Sequence, residues 1–242
     1  MMNDRKPTIR EVLLAEDSAL PKAHRIIASD FAKAEVVSQV EWRDSLLERQ
    51  ARLWTDLRWH LVVAETGSRV LGVASGWYLG NLNAGVIGYL AVTRSARGLG
   101  LGPRLRGRLV SLFQRDARRV LRRPLQGVIG EIARDNPWLA TLNKRNNVVA
   151  LDFPYLQPSL WHSESPVPLV MYYESLDRVR RGLPAQRVRQ ALYTIWRRIY
   201  RIRRPLADAA FRQMLDALAD RTFVGRVRTS GSGGGSGRRA AG

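Results

Sequence analysis

The sequence contains no cysteine, and this absence excludes disulfide bonds, thiolate metal sites and cysteine nucleophiles together. Histidine occurs only at His24, His60 and His162, and none of the three has a second ligand at helical spacing. We therefore predict that the protein holds no metal ion and does not use a covalent thiolate intermediate.

Long apolar runs are also missing. The most apolar stretches, residues 61–64 and 86–92, are long enough for strands only, whereas a membrane-spanning helix needs about 20 apolar residues. The first residues lack the apolar stretch of a signal peptide. These absences predict a cytoplasmic protein.

Lysine is scarce, and the charge is uneven. Of the 40 basic residues only four are lysine, and the formal net charge is +19. From residue 178 onward, 16 arginines stand against three acidic residues. Such a field favours anionic partners without naming them. A hydrophobic content of 45% and a length of 242 residues allow one globular domain with a smaller appendage.

Hydrophobic periodicity predicts a mixed α/β (α+β) fold. Three strands joined by short turns and then a strand–helix–strand unit indicate a mixed sheet with helices on its faces. The predicted strands cover residues 8–14, 59–65, 69–79, 85–92, 126–133, 149–156 and 167–174. The predicted helices cover residues 17–33, 38–57, 102–121 and 138–145.

The composition changes after residue 177. Two amphipathic basic helices are predicted at residues 184–203 and 206–218, and a Ser/Gly-rich tail follows. We therefore divide the chain into a domain (1–177), a basic helical extension (178–228) and a disordered tail (229–242). Mixed arginines and aromatic residues in the extension are compatible with binding nucleic acid or an anionic membrane surface. The preferred interpretation is that its apolar stripes pack on the domain.

The segment that carries chemistry is residues 90–108. A strand ends at Val92, and Arg97 with three alternating glycines opens a helix. Glycines allow a close approach of backbone amides to a ligand, and a helix N-terminus carries partial positive charge, so the segment suits a pyrophosphate. The ordinary alternative is a tight turn with helix capping. The spacing matches neither a Rossmann fingerprint nor a P-loop.

The pattern Arg97-x-x-Gly100-x-Gly102, after a strand that ends Leu-Ala-Val, resembles the acetyl-coenzyme A loop of the GNAT superfamily of N-acetyltransferases. The resemblance covers residues 7–175 and implies a mostly antiparallel mixed sheet of six to seven strands. It implies that backbone groups of the strand end hold the pantetheine and thioester, that the loop holds the pyrophosphate, and that Asn136 also contacts the coenzyme. The implied coenzyme-binding residues are Leu90, Ala91, Val92, Arg97, Gly98, Leu99, Gly100, Leu101, Gly102 and Asn136.

A second family motif is kept in part. Asn136 and Leu142 match it, whereas Asn143 stands where the family has tyrosine and Asn147 where it has glycine. Residues 154–158 resemble the Pro-Tyr-x-Gln-Pro segment of one uncharacterised bacterial branch of these enzymes.

The resemblance implies direct attack of a primary amine on the thioester of acetyl-CoA in a ternary complex. Glu131, at the end of a strand beside the expected gap, is the candidate general base, and an ion pair with Arg134 is the alternative. Asn143 could hydrogen-bond the leaving thiolate. Tyr155 is the candidate proton donor, and a pocket wall is its alternative role.

The leading hypothesis is thus an acetyl-CoA-dependent N-acetyltransferase. The alternatives are a catalytically weak coenzyme- or anion-binding protein of the same fold, and a nucleic-acid or membrane-surface module that acts through the basic helices. The sequence leaves open whether the acceptor is a small molecule or a protein amine, and whether the protein forms a homodimer.

Overall fold

The computed structural model describes residues 6–160, 165–177 and 180–226, which form ten strands and six α-helices. The strands are β1 (Thr8–Val12), β2 (Leu57–Thr66), β3 (Arg69–Leu79), β4 (Ala84–Val92), β5 (Gly127–Ile132), β6 (Val148–Ala150), β7 (Tyr155–Gln157), β8 (Val167–Ser175), β9 (Gly182–Pro184) and β10 (Phe223–Gly225). The helices are α1 (Ala19–Asp30), α2 (Gln39–Gln50), α3 (Leu101–Leu121), α4 (Pro137–Asn143), α5 (Ala185–Thr194) and α6 (Ala209–Asp216).

Local capping signals set the starts of several helices. The Ser38 hydroxyl accepts a hydrogen bond from the amide of Glu41 at 3.2 Å and begins α2. Asp17 accepts from the amide of Ala19 at 2.9 Å just before α1. The helix predicted to reach residue 57 ends at Gln50, because Arg52 takes a left-handed conformation (φ 55°) and β2 begins at Leu57.

The main sheet has the order β1-β2-β3-β4-β5-β8-β6, and β7 pairs with β8 beside β6. Only the β4–β5 pair is parallel within the described sheet, so the prediction of a mixed, mostly antiparallel sheet is confirmed. The sheet has eight strands because the strand predicted at residues 149–156 is two short strands, β6 and β7. Pro154, which has no amide to donate, lies between them.

The central feature of the sheet is the parting of β4 and β5. The two strands pair only from Ala84 and Gly127 to Ile87 and Gly130, although each continues alongside its other neighbour. A bulge leaves Gly88 of β4 without a partner on β3. A Cβ atom at Gly88 would lie 2.7 Å from the Trp77 ring, so the bulge needs glycine.

Helices cover both faces of the sheet. On one face, α3 packs Leu105, Leu109 and Phe113 against β2, β3 and β4. On the other face, α1 and α2 cover the β1–β3 side. The extension covers the remainder of that face, where Leu192 and Phe211 join the same core as the strand residues. The apolar stripes of the extension therefore pack on the sheet, in agreement with the preferred interpretation.

The extension differs from its prediction in detail. The helix predicted at residues 184–203 is α5 followed by a π-helical turn, Ile195–Ile199, and Arg201 (φ 57°) reverses the chain after it. The second helix is shorter than predicted and is capped by Asp208. The β9–β10 pair was not predicted. The predicted disorder of residues 229–242 lies outside the described residues, and the division at residue 177 stays a prediction.

No helix in the described part of the chain is both long and apolar enough to cross a lipid bilayer.

A buried polar cluster joins α3 to the first strands of the sheet. His60 lies between two carboxylates: Nδ1 is 2.6 Å from Glu11 Oε1, and Nε2 is 2.6 Å from Asp116 Oδ2. Arg49 Nη1 donates to the same Glu11 oxygen at 2.5 Å. Burial raises the pKa of Glu11, but the hydrogen bond and charge of His60, together with Arg49, outweigh burial and lower it to about 2.

We predict that this cluster makes stability fall in acid. The folded-state pKa of Glu11 lies below its ordinary value, so its contribution is present above about pH 4.5 and is lost as the pH falls through about 2. The loss is at most about 3 kcal/mol. Urea unfolding between about pH 5 and pH 2 should show a smaller decrease for Glu11→Gln than for the wild type. The exposed Glu16→Gln is the control, and an unchanged pH dependence in Glu11→Gln would contradict the prediction.

Candidate active site

A cavity of about 530 Å³ lies where β4 and β5 part. Alternate residues of β5 face opposite sides of the sheet, and both Glu131 and Ile132 line the cavity, so it reaches both faces. Its walls come from the end of α1 and the loop after it, the strand gap, α4 and the extension. The lining residues include Asp30, Phe31, Glu35, Trp77, Gly88, Tyr89, Leu90, Glu131, Ile132, Asn136, Trp138, Ile195, Ile199 and Tyr200.

The glycine loop lies between β4 and α3, as predicted. Gly98 (φ 85°) and Gly100 (φ 65°) both need the left-handed region, and Gly100 is the N-cap of α3. No side chain caps this helix, and its first turn has no acidic residue. A Cβ atom at Gly98, Gly100 or Gly102 would meet no atom within 4 Å. The start of α3 therefore faces open space, with the geometry that an anion site needs.

The arginines of the loop lie at the surface. Arg97 is 60% exposed, and its Nη2 is 3.6 Å from Asp30 Oδ2. Arg104 donates to the carbonyl oxygen of Pro7 at 3.3 Å. Arg94 is exposed in the short 3-10 turn before the glycines. Positive charge thus surrounds the free end of α3.

Glu131 is held by two tyrosines. The Tyr155 hydroxyl donates to Oε1 at 2.5 Å, and the Tyr200 hydroxyl donates to Oε2 at 2.6 Å. Both carboxylate oxygens bind tyrosines, which is not the arrangement expected from an ion pair with Arg134. Burial raises the pKa of Glu131, although the two hydrogen bonds act in the opposite direction.

The two tyrosines occupy different positions relative to the cavity. Tyr155 is 1% exposed and lies behind Glu131, whereas Tyr200 lines the cavity. Burial and the neighbouring Glu131 charge raise the pKa of both phenols well above 10, so both are protonated donors at neutral pH. Tyr200 was missed in the sequence. Its only signal is an aromatic residue at the end of an arginine-rich helix, and the π-helical turn decides where it points.

Asn136 and Asn143 lie at opposite ends of α4. Asn136 lines the cavity and caps the helix, accepting from the amide of Trp138 at 3.0 Å. Asn143 is not among the lining residues of this cavity. Its Oδ1 is buried and has no hydrogen-bond partner within the described residues, and its backbone oxygen accepts from Arg226 at 2.8 Å. The structure thus brings Glu131, Leu90 and Asn136 to one cavity and leaves Asn143 outside its lining.

Acidic groups line the α1 side of the cavity. Asp30 and Glu35 lie there with Phe31, and Tyr89 ties the loop down. The Tyr89 hydroxyl donates to the Glu35 carbonyl oxygen at 2.6 Å and accepts from the Val37 amide at 3.0 Å. Together with Glu131, these carboxylates favour a cationic group in this part of the cavity. The described residues contain no group of three or more side chains arranged to bind a metal ion.

Comparison with known proteins identifies the class of this fold and site. Residues 24–123 match the family model described as "Acetyltransferase (GNAT) family". The chain belongs to the GNAT acetyltransferase family. Membership implies transfer of an acetyl group from acetyl-CoA. The comparison with curated proteins finds no match.

Solved structures show the same fold. A GNAT-family protein from Bacteroides thetaiotaomicron is 12% identical, with a TM-score of 0.57 over 81% of this chain and 99% of its own. The ribosomal-protein-S18-alanine N-acetyltransferase from Escherichia coli is 14% identical, with a TM-score of 0.49 over 73% and 98%. The yncA protein from Salmonella typhimurium, solved with acetyl-CoA, is 19% identical, with a TM-score of 0.49 over 73% and 97%.

We predict that Tyr200→Phe raises the pKa of Glu131 further, because the lost hydrogen bond stabilises the charged carboxylate. Carboxyl carbon NMR, with Glu131 assigned by mutation, would measure the titration directly. Tyr193→Phe is the matched control, since Tyr193 is an exposed tyrosine of α5. An unchanged Glu131 titration in Tyr200→Phe would show that this hydrogen bond is absent in solution.

Proposed function

We propose that this protein is an acetyl-CoA-dependent N-acetyltransferase that moves an acetyl group to a primary amine by direct attack in a ternary complex. The observation that supports the proposal most strongly is Glu131, a carboxylate of raised pKa on the wall of the cavity between the parted strands. A base poised closer to neutrality than an ordinary glutamate is suited to accept a proton from an amine.

The coenzyme would be held by backbone groups. Beyond Ile87, the edge of β4 that faces β5 makes no strand pairs, so Leu90, Ala91 and Val92 can offer amides and carbonyls to the pantetheine. The glycine loop and the start of α3 would bind the pyrophosphate. Asn136 lies on the wall of the same cavity. Acetyl-CoA, when bound, supplies the acetyl thioester.

We predict that Gly102→Asp abolishes coenzyme binding, because it places a carboxylate against the pyrophosphate. Gly102 lies within α3 and has open space around its Cβ position, so the fold should tolerate the change. Gly107→Asp is the matched control: it introduces the same residue in the same helix, also into open space. Isothermal titration with acetyl-CoA measures both. Wild-type affinity in Gly102→Asp would reject the glycine loop as the pyrophosphate site.

The transfer step then needs one proton relay. Glu131 takes a proton from the attacking amine as the nitrogen–carbon bond forms. The carbon–sulfur bond breaks, and the Tyr200 hydroxyl, which lines the cavity, gives its proton to the leaving sulfur. Protonated Glu131 returns a proton to Tyr200 along their 2.6 Å hydrogen bond, so the net transfer is from nitrogen to sulfur. Tyr155, buried behind Glu131, acts as a positioning residue.

Asn143 and Tyr155 were the sequence candidates for contact with the leaving thiolate. Neither is among the lining residues of the cavity. We therefore propose Tyr200 as the proton donor, because its hydroxyl both bonds Glu131 and belongs to a cavity-lining residue. The role of Asn143 stays a prediction.

We predict that Glu131→Gln lowers kcat by about 100-fold or more, with little change in coenzyme affinity. Wild-type activity should increase with pH through the pKa of Glu131, which lies above the ordinary 4.5, because only the ionised carboxylate accepts a proton. That acid limb should disappear in Glu131→Gln and remain in the exposed Glu16→Gln control. Thiol release across a panel of primary amines provides the rates. Full activity in Glu131→Gln would reject Glu131 as the base.

The same assay separates the two functions that share this fold. Coenzyme binding together with amine-dependent thiol release supports the transferase. Tight coenzyme binding without thiol release from any amine would favour the weakly catalytic, coenzyme-binding alternative.

A further inference from the structure

A second cavity, of about 390 Å³, lies on the same face of the sheet between the end of α2 and the extension. Trp77 lines both cavities, so the second cavity adjoins the candidate active site. The first cavity carries Asp30, Glu35 and Glu131, and the second is lined mainly by cations. Its charged residues are Arg49, Arg58, Arg197, Arg198 and Arg201 with a single carboxylate, Glu48.

Three of the five arginines have carboxylate partners. Arg49 binds Glu11 at 2.5 Å, and Arg201 binds Glu48 at 2.9 Å. Arg198 makes two hydrogen bonds, at 2.9 and 2.6 Å, to the carboxylate of Asp56. These pairs hold the walls in place and use the nearby negative charge.

The other two arginines lack such partners. The nearest carboxylate oxygen to Arg58 is Asp116 Oδ1 at 3.9 Å, which is too far for a hydrogen bond. Arg197 is exposed and makes no ion pair within the residues that the structure describes. Each guanidinium carries five N–H donors in a planar fork that matches a carboxylate or phosphate.

Arg58 is also partly removed from water. Its side chain is 21% exposed. Burial lowers its pKa, the charge of Asp116 acts against this, and the neighbouring Arg119 and Arg49 lower the pKa further. A partly desolvated cation among other cations gains from an added anion.

Tryptophan rings form the apolar part of the groove. Trp59 and Trp77 have ring centroids 6.3 Å apart, and the exposed Trp54 lies under the guanidinium of Arg198, 5.6 Å from its centroid. Apolar walls between an acidic end and a cationic end suit a ligand with an amine, a short apolar chain and an anion.

We propose that the second cavity binds an oxyanion of the acceptor, so that the acceptor is an amine whose far end carries a carboxylate or phosphate. This inference rests on the proposed function, since it places the amine of the same molecule at Glu131. Arg58 and Arg197 would bind the oxyanion, and Trp77 would contact the chain that joins the two groups.

The test compares acceptors matched in length. Straight-chain ω-amino carboxylates and ω-aminoalkyl phosphates are each compared with the alkylamine of the same chain length, and thiol release is measured. At the best length, we expect kcat/KM to be at least about tenfold higher with an oxyanion, a factor that corresponds to about 1.4 kcal/mol. The carboxylate and phosphate series show which oxyanion is preferred.

Two variants locate the effect. Arg58→Gln and Arg197→Gln should each reduce the ratio of kcat/KM with and without the oxyanion. Because Arg197 is exposed, its variant should fold even if Arg58→Gln does not. The control is Arg43→Gln, an exposed arginine of α2 outside both cavities, which should keep the wild-type ratio.

The outcomes separate the two proposals. Equal use of both acceptor types, or a ratio unchanged in both variants, overturns the oxyanion site and leaves the transferase function intact. If no amine releases thiol, isothermal titration with the same acceptor pairs is read instead. Oxyanion-dependent binding that Arg197→Gln abolishes then supports the anion site although the transferase proposal fails. Binding that does not depend on the oxyanion overturns the site.

Discussion

The parting of β4 and β5 is the constraint on which the rest of the site depends. Two parallel strands give up their mutual hydrogen bonds after Ile87 and Gly130 while each stays paired on its other side. Unpaired backbone groups at a strand edge need other partners, and a cavity between the strands provides room for a ligand to supply them. The bulge at Gly88, which only glycine fits beside Trp77, lies at the point of divergence.

The position of Glu131 next to this gap makes the extension part of the site. A carboxylate in a desolvated position needs hydrogen bonds, and here one comes from the core strand β7 through Tyr155 and one from the extension through Tyr200. The apolar stripes of α5 and α6 fix the extension on the sheet, and its arginines then line the second cavity. Packing and charge in this segment therefore have separate roles, and neither interpretation of the basic helices is complete alone.

Charge is arranged along the groove between α2 and the extension. Carboxylates line the end near the strand gap, and guanidinium groups line the other end beyond Trp77. A net charge of +19 says only that the protein favours anions, because a sum carries no information about position. The separation of the two signs by an apolar wall is what connects the charge to a class of acceptor.

Local pattern in the sequence was sufficient to predict most strands and helices, the glycine loop with its place before α3, and the family, because periodicity and turn chemistry act over a few residues. Glu131 was predicted as a site residue from its place at a strand end. The break at Pro154, the π-helical turn that aims Tyr200, and the position of Asn143 away from the cavity lining were decided by tertiary structure. Each of these depends on contacts between segments far apart in the chain; Tyr200 and Glu131, for example, are separated by 69 positions, a distance that no local pattern spans.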